Sequence, residues 1–300
     1  MLDRVDRIQL AVADRSAAAA SWRTLFGAEV AREEDSAYLS AKRTILAFGE
    51  SEVELCQPDG AGRCADFIAA RGQGLMTAGL STPDMAALTA HMAGLGVEPA
   101  WDGAQFYLPG EDHFGMSFVI SPSLMRPRIG LANFLYEVTN TLTSDWRKAA
   151  AHFAGLFALD ASRFSPLESG RFGYKGSLTL FNPPQQLDRI ELSQVTGTDS
   201  AMGRWVAKRG DSLYMCYCET HDLGEMIDRL DAAGARWTPR ADSQAEEQHG
   251  LWVHPSATHG LLLGVSRTTF AWNWSGRPEL IHPTAGQGNR TKIGGHHHDG

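Results

Sequence analysis

The chain repeats itself, and a repeat restricts a fold more than any single motif does, because one scaffold must satisfy both copies. Val53-Glu-Leu-Cys-Gln-Pro58 returns as Ile190-Glu-Leu-Ser-Gln-Val195. Phe106-Tyr-Leu-Pro, with His113-Phe-Gly-Met-Ser-Phe-Val-Ile-Ser121 after it, returns as Leu251-Trp-Val-His-Pro with His259-Gly-Leu-Leu-Leu-Gly-Val-Ser266. Both pairs lie about 140 residues apart and in the same order. Half of the chain is therefore a copy of the other half.

Each half divides again. Residues 5–12 alternate apolar and polar with a period of two, which marks a half-buried strand. Asp14 and Ser16 then offer N-caps to an Ala-rich helix through Trp22 and Leu25, closed by Gly27. Strand-like runs follow at 37–39, 44–48 and 53–55, so the unit reads β-α-β-β-β. The pattern returns from Leu75 with a helix at Met85–Leu95, from Phe134 with a helix around Trp146–Phe157, and from Leu213 with a helix at Asp222–Ala233. Four such units occupy about 5–58, 72–122, 131–195 and 210–267. The expected organisation is an N-terminal pair over 1–122, a Pro-containing linker over 123–130, a C-terminal pair over 131–274 and a flexible tail over 275–300.

Composition excludes several classes of function. Hydrophobic residues make up 43% and charged residues 21%, enough apolar material for sizeable cores. A net charge of −8 without a basic patch argues against nucleic acid as a partner. No apolar run approaches the roughly 20 residues that a spanning helix needs, and the N-terminus lacks a signal-peptide core. These features predict a cytoplasmic protein, off the membrane, as a monomer or homodimer. Cys56, Cys64, Cys216 and Cys218 form no disulfide framework. There is no dinucleotide fingerprint, Walker loop, nucleophile elbow or His-Glu-x-x-His, so no nucleotide cofactor is expected.

Paired β-α-β-β-β units with Glu-Leu near the end of a fourth strand resemble the vicinal oxygen chelate superfamily, which includes glyoxalases, bleomycin-resistance proteins, epimerases and extradiol dioxygenases. The resemblance spans about residues 4–270 and implies an α+β fold of four βαβββ units paired into two half-barrel cups. It also implies a divalent metal in a cup, held by His and Glu on the first and fourth strands of each unit. Carried over residue by residue, those positions fall on Arg7, Glu54, Thr77 and Val119 in the first half. In the second half they fall on Glu137, Glu191, Met215 and Gly264. Arg7 cannot bind a cation and faces Glu54, so an ion pair is expected in the N-terminal cup.

The C-terminal cup offers carboxylates instead. Alternation along the strands adds Thr139 beside Glu137, and Tyr217 and Glu219 beside Met215. Glu137 and Glu191 have no evident cationic partner; the alternative is that Glu219 or Glu191 pairs with an arginine such as Arg189 or Arg204 at the cup rim. Clustered carboxylates need a cation or a proton. One possible divalent metal on Glu137 and Glu191, joined by His254 or Glu219, is therefore one alternative, and a raised pKa is the other. Gly264 leaves space that would enlarge a pocket lined by Thr139, Met215 and Trp252. His254 lacks a counterpart in the first half, which suits it to chemistry. The expected function is lyase or isomerase chemistry on a small, partly aromatic, oxygenated substrate, with Glu137 as base and Tyr217 or Glu219 as donor. Extradiol ring cleavage and resistance-type ligand sequestration are the alternatives.

Overall fold

The computed structural model describes residues 1–240 and 249–283. In the first unit β1 (Arg7–Ala11) leads to α1 (Arg15–Phe26), then β2 (Glu29–Ser36), β3 (Ala41–Phe48) and β4 (Ser51–Pro58). A helix not anticipated from sequence, α2 (Arg63–Arg71), precedes the second unit. That unit is β5 (Gly74–Thr82), α3 (Met85–Gly94), β6 (Ala100–Asp102), β7 (Gln105–Leu108) and β8 (Phe118–Pro122). The third unit runs β9 (Ala132–Leu142), α4 (Trp146–Phe157), β10 (Ser165–Ser169), β11 (Tyr174–Leu180) and β12 (Arg189–Val195). After α5 (Ala201–Arg209), the counterpart of α2, come β13 (Ser212–Thr220), α6 (Leu223–Ala232), β14 (Trp237–Pro239), β15 (Gly250–Val253) and β16 (Leu262–Arg267).

Each half forms one eight-stranded sheet curled into a half-barrel. The orders are β2-β3-β4-β1-β5-β8-β7-β6 and β10-β11-β12-β9-β13-β16-β15-β14, the same path twice. The first strands of paired units are neighbours at the centre, and each lies parallel to the last strand of its own unit. Four central strands therefore converge on each concave face.

Local chemistry explains the elements. Asp14 accepts the Ser16 and Ala17 amides at 2.9 Å each, which starts α1, and Gly27 at φ 69° ends it. Asp145 caps α4 in the same way through Arg147 N. The second strand of unit one lies at Glu29–Ser36, not at 37–39, which is a turn. Its sequence, Glu-Val-Ala-Arg-Glu-Glu-Asp-Ser, shows no alternation because it is an exposed edge strand, where charge discourages further pairing.

Alternation divides the strands between two environments. Ile8, Leu10, Val53 and Leu55 face helices α1 and α3 in a core that runs on without a break into the second half, where Phe118 meets Phe153 and Phe157 at 5.5 and 5.3 Å. Arg7, Gln9, Glu52 and Glu54 share the other face. The halves are also joined by Val5 N donating to Asp188 at 2.7 Å, Leu135 N to Ser51 at 2.9 Å, and a 2.9 Å contact between His113 and His152. No helix among the described residues is long and apolar enough to cross a membrane. All four cysteines are buried and free.

Candidate active site

The N-terminal cup is filled by a polar network. Glu54, fully buried, accepts from Arg7 at 2.8 Å, Arg43 at 2.9 Å and Gln9 at 2.8 Å. Burial alone would raise its pKa, but Arg7, Arg43 and Gln9 outweigh it and hold the carboxylate below the usual range. Arg7 also reaches Asp6 at 3.3 Å and Glu52 at 3.6 Å, and Arg126 from the linker contacts Asp6 and Glu52 at 3.2 Å each. Tyr107 accepts from Gln9 and Gln105, and Tyr38 stacks on it at 4.1 Å. Every carboxylate here has a guanidinium, while Gln9 Oε1, Arg43 Nε and Arg126 Nη2 are buried without a hydrogen-bond partner among the described residues.

Register shows how the second cup departs from the first. Arg7 pairs with Glu52 across β1 and β4, and Glu137 pairs with Arg189 at the matching step of β9 and β12. The charges have changed places. One level along, Gln9 and Glu54 match Thr139 and Glu191. Arg189 is fully buried, and its Nε donates to Glu137 Oε2 at 2.8 Å. The expectation that Glu137 lacks a cationic partner is thus incorrect, and Arg189 lies deep in the cup rather than at its rim. Alternation from Glu191 back to position 189 was the available signal.

Glu137 Oε1 accepts from Thr139 at 3.0 Å, and Ser193 donates to Glu191 at 2.5 Å. Glu191 lies on the strand next to Glu137 and faces the same cup. Burial, then the negative Glu137 beside it, pushes the Glu191 carboxyl well above the usual range. Two carboxyl groups in one enclosed site cannot both ionise cheaply, which favours a proton on Glu191.

Aromatic side chains wall this pair. Tyr217 accepts from Trp252 at 2.7 Å and from Arg240 at 3.3 Å, and burial pushes its hydroxyl pKa up. Tyr136 stacks on Tyr217 at 6.0 Å. It reaches the cup because the ladder between β9 and β13 slips there, making Tyr136 the extra residue of a bulge. Alternation from Glu137 would have sent Tyr136 to the other face. Met215, Leu187 and Tyr217 pack with Ala271 and Trp272, and Trp274, Leu280 and Ile281 lie against them. The segment expected to be flexible from 275 onward therefore continues through Ile281 as part of the cup's cover, and the remainder from 284 lies outside the described residues.

Three further expectations change. Gly264 does not leave a cavity, because the Tyr217 ring lies over it and a Cβ there would collide with the ring. Two surface depressions, of about 250 and 410 Å³, lie near Trp146 and near Arg23 rather than beside Gly264. Glu219 stands apart from Glu137 and Glu191: it accepts from Asn133 at 2.7 Å and Thr269 N at 2.8 Å, anchoring the turn after β16. His254 is exposed in the turn after β15, where its ring meets Ser256 at 3.0 Å.

A divalent metal does not fit this donor set. Both Glu137 oxygens accept hydrogen bonds, from Thr139 and Arg189, and Glu219 and His254 are tied elsewhere. Among the described residues, no group of three or more His, Cys, Asp or Glu is arranged to hold a metal ion. Of the expected set, Glu137 and Glu191 are brought together beside Arg189, while His254 stands apart in its exposed turn.

Comparison with known proteins bears on the fold. Residues 6–114 match the sequence model of the Glyoxalase/Bleomycin resistance protein/Dioxygenase superfamily. A mutant of 4-hydroxymandelate synthase from Streptomyces coelicolor superposes on 89% of this chain and 93% of its own, with a TM-score of 0.67 at 13% identity. This chain has the vicinal oxygen chelate fold. A xylose isomerase-like TIM barrel/4-hydroxyphenylpyruvate dioxygenase fusion protein also carries it, matching 89% of this chain with 49% of its own at a TM-score of 0.62 and 13% identity. Among curated proteins, none matches this chain in sequence. The vicinal oxygen chelate fold accounts for two cups with central strands aimed inward; what those strands carry is particular to this chain.

Proposed function

We propose that the protein is an enzyme that moves protons within its C-terminal cup, in the lyase or isomerase class, on a small, partly aromatic, oxygenated compound. The observation that carries this is the burial of Glu137 and Glu191 on neighbouring strands beside Arg189, with the Glu191 carboxyl disposed to hold a proton. A carboxyl forced to stay neutral is an acid at neutral pH, and its ionised neighbour is a base. A substrate oxygen meeting Glu191 would take its proton, while Glu137 accepts a proton from an adjacent carbon. Reversal at a second carbon restores the pair, so the cycle consumes no proton. The donor is thus Glu191 rather than Glu219 or Tyr217. Tyr217, fixed by Trp252 and Arg240, is suited to orienting the substrate.

Extradiol ring cleavage is less well supported, since such sites present two His and a carboxylate and this cup presents neither His. Sequestration without turnover is favoured by the apolar, covered character of the cup. A screen of oxygenated aromatic substrates with the wild-type protein and Glu191→Gln separates the readings. Enzymatic action predicts turnover that falls at least about tenfold, roughly 1.4 kcal/mol, in the variant. Binding without turnover in both proteins would establish sequestration.

A further inference from the structure

Arg189 is only partly used by its protein partners. Nε donates to Glu137, Nη1 donates to the Leu187 carbonyl at 3.1 Å, and Nη2 is buried with no hydrogen-bond partner among the described residues. Buried polar atoms are nearly always paired, and an unpaired one on a charged group is expensive to keep. The guanidinium lies over two aromatic rings, its Cζ 4.7 Å from the Tyr136 centroid and 5.8 Å from that of Trp274. Two residues along the same strand stands Glu191, a second donor facing the same cup.

We propose that Arg189 is the built-in cation of the C-terminal cup, standing where the fold's relatives would place a divalent metal, and that its uncommitted Nη2 receives an oxyanion of a planar ligand. A guanidinium presents donors in a rigid plane that suits carboxylate and enolate oxygens, and it needs no metal to supply charge. Glu137 fixes the guanidinium through Nε and so aims Nη2 rather than competing for it. The aromatic walls give a flat ligand its apolar contact. Nη2 is buried and the Trp274 ring, which packs beside Trp272 and Leu280, lies over the same guanidinium, so a ligand that reaches Nη2 should change the tryptophan environment. The proposal rests on the C-terminal cup being the working site.

Benzoate and benzamide, equal in shape and different in charge, are suitable probes, read by saturable tryptophan quenching on the full-length chain after EDTA treatment and dialysis. Benzoate should bind at least about tenfold more tightly than benzamide, and added Mn²⁺ or Zn²⁺ should leave both unchanged. Arg189→Lys should reduce the benzoate preference at least about tenfold. Because that variant alters a buried pair, Glu137→Gln combined with Arg189→Met removes both charges together and should lose the preference while remaining folded. Equal or absent binding of the two probes, binding that EDTA abolishes and metal restores, or a preference retained in the double variant would each overturn the proposal. If Glu191→Gln loses turnover while the Arg189 variants keep the benzoate preference, proton transfer stands and the role of Arg189 falls. If the Arg189 variants lose the preference while Glu191→Gln leaves turnover unaffected, the role of Arg189 stands and proton transfer through Glu191 falls.

Discussion

Glu54 and Glu191 occupy the same place in the two Glu-Leu segments, yet their surroundings set them in opposite protonation states. Two arginines and a glutamine hold the Glu54 carboxylate low, while burial and Glu137 push the Glu191 carboxyl high. The lowered Glu54 contributes stability that is present above the unfolded-state pKa and is lost as pH falls through the folded one. The raised Glu191 favours the fold at low pH, and that contribution is lost as pH rises through its folded pKa. Glu54→Gln leaves Arg7 and Arg43 short of a buried partner and should cost about 3 kcal/mol, the scale for breaking a buried pair, seen as a lower Tm near pH 7. Glu191→Gln keeps the neutral charge state and an acceptor for Ser193. It should leave Tm near pH 5 unchanged and raise it near pH 9, where unfolding gains from ionising the wild-type carboxyl in water. A fall in Tm for Glu191→Gln at both pH values would mean that Glu191 is ionised in the native state.

Two positions on β13 and β16 show how one element gives way to its neighbour. In the first half Gly79 faces Val119, and the Arg7 side chain lies over Gly79. In the second half the bulk has moved to the opposite strand, with Tyr217 facing Gly264. A side chain at 264 must displace the Tyr217 ring, and with it the bonds from Trp252 and Arg240. Gly264→Ala should therefore destabilise by about 1–3 kcal/mol, the usual cost of overpacking, measured by urea unfolding. In a Tyr217→Ala background the same substitution should cost less than it does in the wild type, because the ring no longer occupies the space. If Gly264→Ala alone is neutral, the ring is not confined as described.

At the scale of the whole molecule, the two half-barrels share one core and Asp188 links them. Its carboxylate accepts the Val5 amide at the entrance to β1, and burial pushes its pKa up to about 8. The fold therefore gains from a protonated Asp188 at low pH and loses that gain as pH rises from about 4, the unfolded value, through about 8. Asp188→Asn keeps an acceptor for Val5 without the charge. It should stabilise the protein by roughly 1–3 kcal/mol at pH 8.5 and change little at pH 4, as measured by denaturant midpoints. The continuous core also predicts one cooperative transition, with tryptophan fluorescence and far-UV circular dichroism coinciding. Two separated transitions would show that the halves unfold independently.

The duplicated segments, the period-two strands and the capped helices were legible in the chain because they are local or repeat at a constant spacing. From them follow four βαβββ units, two cups and the inward faces of the central strands. Placement of Arg7, Glu54, Glu137 and Glu191 in those cups was legible for the same reason. What the chain could not show is which groups meet. Glu137 and Arg189 lie 52 residues apart and pair only because β9 and β12 are parallel neighbours in one register. Tyr136 enters the cup through a bulge that breaks the alternation from which faces are read. Gly264 suggests space on paper, but Tyr217 from the neighbouring strand fills it. Periodicity assigns a side chain to a face, whereas charge pairing, protonation and cavity shape depend on distances between strands, which only the closed sheet sets.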